Sequence, residues 1–231
     1  MKCKPAPFVL ASLLTAYPTS STREGCAALL ADPDVAMPEE LRAMVNRRVD
    51  PENLPDLQSE YIDIFDHGRV SNPLYETEFG RHRALAKGNE LCDIAGFYHA
   101  FGFQLDLEGG NKDMLDHVSI ELEFYALLLM KQVHLGEMKN DEGVSIVEDG
   151  RRKFLEAHLG RFAGAIGRRP GVQASDYYSA VYAWVDQLVA GECKALGLNV
   201  ETVEWIEGES KREEEVCCAV TAGAQVKSAA P

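Results

Sequence analysis

Residues 118–133 read VSIELEFYALLLMKQV, and this stretch decides the fold. Its apolar side chains occupy every face of a helix instead of a single stripe. A helix of that kind has to be enclosed by other elements, so we expect a central helix packed inside further helices. Its longest unbroken apolar run ends at Lys131 and is far too short to span a bilayer.

The sequence around this helix shows helical periodicity almost throughout and hardly any strand alternation, because apolar residues recur three and four positions apart. The predicted helices lie at residues 8–16, after Pro38, after Pro55, at residues 83–101, at residues 154–162 and after a Ser175 cap. Residues 200–206 fit either a short extended piece or a last helical turn. The pattern predicts an all-α fold, a compact irregular helical bundle of about eight or more helices.

Length and composition indicate one folded unit. The chain has 231 residues, of which 46% are hydrophobic, and this is enough for a buried core. We predict a single all-helical domain at residues 1–207 and a flexible tail of acidic and small residues at 208–231. The 37 acidic and 23 basic side chains give a net charge of -14. Such a charge disfavours nucleic acid and anionic lipid as partners and favours a cationic partner, although it also serves solubility.

The cysteines and the N-terminus bear on the cellular compartment. Six cysteines lie at positions 3, 26, 92, 193, 217 and 218, without any C-x-x-C pair. This spacing predicts neither a zinc site nor a disulfide framework and favours reduced thiols in the cytoplasm. Lys2 and Lys4 before an apolar run imitate a secretory signal, but Tyr17 and Pro18 stand where a small-x-small cleavage site is needed. We therefore expect a first core helix there and no stable membrane insertion.

Two loops interrupt the predicted helices. Residues 66–83 mix aromatic, acidic and basic side chains with glycine and proline, a mixture typical of loops that bind ligands. Residues 105–115 form a glycine-rich, hinge-like connection that leads into the central helix. The first loop is therefore a candidate binding segment.

Asp116, His117 and Glu121 stand at the start of the central helix, with Glu121 about one turn after His117. Asp116 suits a purely structural helix cap, since a carboxylate can accept exposed backbone N–H groups. It also suits a functional site. Two carboxylates and an imidazole at the mouth of an apolar helix would form an acidic, partly desolvated site that fits a guanidinium.

Catalytic motifs are missing from the sequence. It has no H-E-x-x-H, no Glu-x-x-His pair of the di-iron bundles, no G-x-x-x-x-G-K-[ST] loop and no G-x-S-x-G. We therefore predict that the protein is not an enzyme and that it holds no metal or other cofactor. The alternative is a small helical enzyme, metal-dependent or metal-free, that uses Asp116 and His117 as an acid/base pair.

The order of several short motifs resembles the TorD/DmsD/NarJ family of molybdoenzyme assembly chaperones. The resemblance extends over residues 8–196 and is carried by LLTAYP at 13–18, FDHGRVSNPLYE at 65–76 with RHR at 81–83, FYHAFGF at 97–103 and LDHVSIELEF at 115–124. The Tyr75-Glu76 pair is closest to the subgroup that serves dimethyl-sulfoxide-reductase-type enzymes. One departure is Met114, where the family usually has proline.

The resemblance implies a cytoplasmic, all-helical chaperone whose partner is the catalytic subunit of a molybdopterin oxidoreductase. Family members bind the twin-arginine signal or the N-terminal segment of that subunit until the molybdenum cofactor is inserted. The resemblance implies a peptide-binding surface that contains Tyr75, Glu76, Asp116 and His117, and helical spacing adds Glu121 to it. The chaperone would be a monomer or a dimer.

Overall fold

The computed structural model describes residues 4–80, 83–105 and 114–206, except for the side chains of residues 83–86. Ten α-helices lie in these ranges: α1 (Ala6–Thr15), α2 (Ser20–Leu30), α3 (Glu39–Arg48), α4 (Leu54–Tyr61), α5 (Arg83–Ala100), α6 (Val118–Glu137), α7 (Asp141–Ala157), α8 (Leu159–Ile166), α9 (Pro170–Gln173) and α10 (Asp176–Ala195). No β-strand occurs in the same ranges, so the predicted all-α bundle is confirmed. The predicted tail at 208–231 lies outside the described residues. Of the helices described, none is long and apolar enough to cross a membrane.

The central helix is α6, and its burial explains its sequence. Nearly every residue at 118–129 is buried, on all sides of the helix. Helices α1, α7 and α8 pack against it. The ring of Phe124 lies 4.7 Å, centroid to centroid, from Tyr98 of α5 and 4.7 Å from Phe154 of α7. The buried, apolar helix α6 thus forms the centre of the bundle, as the sequence predicts.

Most of the other helices contain a predicted stripe. The predicted cap of α10 is confirmed, because the Ser175 hydroxyl accepts the Tyr178 N–H at 3.0 Å. Helix α2 was not predicted, since few of its side chains are buried and its apolar stripe is weak. The stripe at residues 154–162 is divided at His158 between α7 and α8.

Residues 198–206 contain no helical turn, so of the two alternatives for residues 200–206 the last helical turn is not formed. This segment runs back across α8, where the Val203 N–H donates to the Arg161 carbonyl at 3.0 Å. Farther along, the Glu204 carbonyl accepts the Gly80 N–H at 2.9 Å. The segment at residues 198–206 is therefore hydrogen-bonded to the loop between α4 and α5.

That loop is more ordered than its glycine and proline content suggests. It contains a π-helical turn at Ile62–Asp66 and a 3-10 turn at Glu76–Glu78. Between them the buried Asn72 donates to the Ile64 carbonyl at 3.1 Å and accepts the Gly171 N–H of α9 at 2.9 Å. Residues 81–82 of this loop, and residues 106–113 of the second predicted loop, lie outside the described residues.

Candidate functional site

A short antiparallel bridge joins residues 74–80, which we call the site loop, to the start of α6. Tyr75 pairs with His117 across this bridge. The Glu76 N–H donates to the Asp116 carbonyl at 2.9 Å. The bridge therefore brings four of the five predicted site residues together from two distant parts of the sequence.

Asp116 binds the site loop and does not cap α6. Its Oδ2 accepts the Thr77 N–H at 3.2 Å and the Thr77 hydroxyl at 2.6 Å. Its Oδ1 is buried and receives no hydrogen bond from any described residue. Of the two alternatives for Asp116, the structural cap is therefore wrong, because the N-cap position falls one residue later, on His117.

His117 supplies the cap. Its Nδ1 accepts the Ser119 N–H at 3.2 Å and lies 2.7 Å from the Ser119 hydroxyl oxygen. To accept an N–H, Nδ1 must carry no proton, so the ring is positioned as an acceptor on this side. The ring also packs edge-on against Tyr75, with 5.1 Å between the ring centroids.

Glu76 points inward, toward the break between α7 and α8. Its Oε2 lies 3.0 Å from Nδ1 of His158, and Nε2 of His158 lies 3.1 Å from Oδ2 of Asp93. The two ring nitrogens of His158 therefore each face a carboxyl oxygen. The Asp93 side chain is 63% exposed, so His158 links the buried Glu76 to the surface.

Glu121 is fully buried one turn into α6. Neither of its carboxyl oxygens receives a hydrogen bond from a donor among the described residues. Its neighbour is the Glu76 carboxyl, with which it forms a hydrogen bond only when one of the two groups is protonated. Burial, and then the charges of Glu76 and Asp116, raise the pKa of Glu121 well above its usual range. We call Glu76, Asp116 and Glu121 the carboxylate cluster.

Helix α5 contributes two further groups beside the cluster. Burial, and then the charge of Glu76, raise the pKa of Glu90. Burial, and then the charges of Glu121 and Asp116, raise the pKa of Tyr98, whose hydroxyl donates to the Leu115 carbonyl at 2.8 Å. Sequence reasoning did not assign Glu90 or Tyr98 to the site. Only contacts across the fold identify them.

The site residues differ in exposure. Asp116, His117 and Glu121 are at most 1% exposed and Glu76 is 4% exposed, whereas Tyr75 is half-buried. Four of the five are thus closed off from solvent in this conformation. Direct contact with a peptide requires the site loop to move, and the assignment of these residues to a peptide-binding surface remains a prediction.

The acid/base alternative finds no support in this geometry. Asp116 is hydrogen-bonded to Thr77, and His117 to Ser119. The two side chains turn toward different partners in a closed interior. A substrate, like a peptide, could reach these side chains only after the site loop had moved. Nδ1 of His117 already accepts the Ser119 N–H.

An apolar groove lies elsewhere on the bundle. It has a volume of about 500 Å³ and runs between the start of α1 and α10. Its lining includes Phe8, Trp184 and Leu188, and it shares no residue with the carboxylate cluster. This groove and the acidic site at the start of α6 are therefore separate features.

Comparison with known proteins gives two matches. A family model described as nitrate reductase delta subunit matches residues 29–167, which is more than half of the chain. The chain is also similar to the dimethyl sulfide dehydrogenase assembly chaperone protein of Rhodovulum sulfidophilum, with 33% identity over 87 residues. That match covers 36% of this chain and 35% of the relative, so it spans about a third of each protein. No solved structure matches.

Proposed function

Because the chain belongs to the nitrate reductase delta subunit family, as its ordered motifs indicate, we propose that it is an assembly chaperone for a molybdopterin-containing oxidoreductase. It binds the N-terminal or twin-arginine signal segment of the catalytic subunit in the cytoplasm. It assists cofactor insertion before assembly or export and catalyses no covalent reaction. The name of the similar protein from Rhodovulum sulfidophilum supports this proposal.

The observation that carries the proposal is a set of buried acceptors without donors. Asp116 Oδ1 and both carboxyl oxygens of Glu121 receive no hydrogen bond from the described residues. Each buried acceptor left unpaired costs about 1–3 kcal/mol, which a ligand with suitable donors recovers. A guanidinium offers five N–H donors and a permanent positive charge. An arginine of the client segment therefore fits the carboxylate cluster once the site loop has moved.

Tyr75 provides a second position for a guanidinium. The chain's own Arg69 already lies over this ring, with its Cζ 5.1 Å from the ring centroid. Such cation–π contacts contribute about 0.5–2 kcal/mol. A client with two neighbouring arginines can displace Arg69 from Tyr75 with one arginine and bind the cluster with the other. The net charge of -14 favours the approach of such a segment.

Calorimetric titration with synthetic N-terminal peptides of molybdoenzyme subunits tests the binding step. The matched control is the same peptide with its arginines replaced by glutamine. We expect the arginine peptide to bind at least about tenfold more tightly. A protein that binds none of these peptides and instead turns over a small substrate would contradict the proposal.

Cofactor insertion needs a separate measurement. The client subunit is produced with and without the chaperone, and its molybdenum content is determined after purification. We expect a clear loss of molybdenum when the chaperone is absent. Equal molybdenum contents would mean that the protein binds the client subunit but has no role in cofactor insertion.

A further inference from the structure

Glu76 and Glu121 form a pair of carboxyl groups inside the protein, and we propose that this pair holds one proton that latches the site loop to α6. Loss of the proton leaves three carboxylates together and releases the loop. The inference concerns the free protein. It therefore stands or falls separately from client binding.

The need for a proton follows from the missing donors. Glu121 is fully buried, and neither of its oxygens receives a hydrogen bond from the described residues. A buried carboxylate without donors is an uncompensated charge, and such groups take up a proton instead. A protonated Glu121 becomes an O–H donor, and the Glu76 carboxylate supplies the acceptor. The latch is this hydrogen bond between a loop residue and a helix residue.

The charged and titratable groups around the pair favour a proton on Glu121. The charges that act on Glu121 are those of Glu76 and Asp116, both negative, and both raise its pKa. The His158 imidazole lies on the far side of Glu76, with Nδ1 3.0 Å from Oε2 of Glu76. Among the described residues, the groups around the pair are Asp116 before α6, Glu90 and Tyr98 on α5, and His158 between α7 and α8, while Arg161 of α8 acts on Glu90.

The loop is the part that responds when the proton is lost. Glu121 belongs to a helix that is buried almost throughout its first twelve residues, whereas Glu76 belongs to a loop that four hydrogen bonds join to residues 116–118. Backbone hydrogen bonds join Glu76 to Asp116 and Leu74 to Val118, each at 2.9 Å. Repulsion between carboxylates is therefore relieved by moving the loop away from the helix.

A hydrogen-bonded chain connects the pair to solvent. It runs from Glu76 through His158 to Asp93, whose side chain is 63% exposed. A proton can pass between the pair and the surface along this chain without opening the core. The latch can thus respond to pH in the folded protein.

Hydrogen exchange at two amides measures the latch. The N–H groups of Glu76 and Val118 both cross between the site loop and the start of α6. Their protection is measured by NMR from about pH 5 to about pH 9 and corrected for the intrinsic pH dependence of exchange. We expect wild-type protection at both amides to fall with rising pH, by at most about tenfold per pH unit for one proton. Amides in the middle of α10 serve as the internal reference.

Three variants and one spectrum decide the outcome. Glu121→Gln keeps a donor toward Glu76 and carries no charge, so its protection should be independent of pH. Glu137→Gln, an exposed change on the same helix, should retain the wild-type dependence. If Glu121→Gln fails to fold, Glu76→Gln and the carboxyl ¹³C resonance of Glu121 in the wild type replace it. The proposal is overturned if Glu121→Gln and wild type show the same pH dependence, or if the wild-type Glu121 resonance is that of a carboxylate at neutral pH.

Discussion

Replacing Asp116 by asparagine separates its hydrogen bonds from its charge. Oδ2 accepts two hydrogen bonds from Thr77, and an amide oxygen can accept both. The amide nitrogen takes the place of Oδ1, which receives no hydrogen bond from the described residues. Each bond weakens by about 1 kcal/mol when its acceptor becomes neutral, and reduced repulsion with Glu121 offsets part of this loss. We expect Asp116→Asn to lower the unfolding free energy by less than about 2 kcal/mol.

Asp116→Ala shows how much stability is lost when the acceptor of both Thr77 hydrogen bonds is removed. It leaves the buried N–H and hydroxyl of Thr77 without their acceptor, at about 1–3 kcal/mol each. For a chain of this size, 1 kcal/mol changes the Tm by about 2–4 °C. We therefore expect a Tm decrease of less than about 8 °C for Asp116→Asn and a larger decrease, on the order of 10 °C, for Asp116→Ala.

Peptide affinity provides the second measurement for the same variants. If Asp116 binds a client guanidinium, Asp116→Asn should weaken binding at least about tenfold, or about 1.4 kcal/mol. Thr77→Val is the matched control, because it removes a hydrogen bond to the same carboxylate and keeps the charge. It should lower the Tm and leave the affinity nearly unchanged. Full affinity in Asp116→Asn, or affinity losses that simply follow the Tm in all three variants, would refute the reasoning.

Four further results are expected. Affinity for an arginine peptide should fall as salt rises, since exposed charges are screened over about 8 Å at physiological ionic strength; an unchanged Kd would mean that apolar contacts dominate. Because the pKa of Glu121 is raised, its contribution to stability is fully present below the ordinary glutamate pKa and is lost as pH rises toward the pKa in the folded state, so denaturation curves should show Glu121→Gln gaining stability over wild type at alkaline pH and not at acidic pH. His117→Ala removes the cap of α6 and should lower the unfolding free energy by about 1–2 kcal/mol in chemical denaturation. A variant that loses peptide affinity but keeps its stability would contradict this role. Arg151→Met leaves the half-buried Glu192 without its ion-pair partner, although Tyr125 still donates to this carboxylate, and should cost up to about 3–5 kcal/mol; a loss below 1 kcal/mol would contradict that assignment.

The sequence predicts those parts of the structure that depend on near neighbours. The apolar character of α6 and the Ser175 cap of α10 follow from periodicity and local hydrogen bonding. The bonds of the site do not, because Thr77 is 39 residues from Asp116 and His158 is 82 residues from Glu76. No local pattern marks such pairs. The cap of α6 was assigned to the wrong neighbour because asparagine, aspartate, serine and threonine are the usual caps, and histidine is not.

The hydrogen bond between Gly80 and Glu204 has a consequence for folding during synthesis on the ribosome. Synthesis adds about 5–20 residues per second, so the carboxylate cluster is translated well before His158 and Glu204. During that interval the cluster lacks the His158 imidazole, and the site loop lacks its hydrogen bond to Glu204. Closing so long a stretch of chain is an entropic cost that packing of the later helices has to offset. The site loop therefore reaches its final attachment only after Glu204 has been synthesised, later than the carboxylate cluster itself.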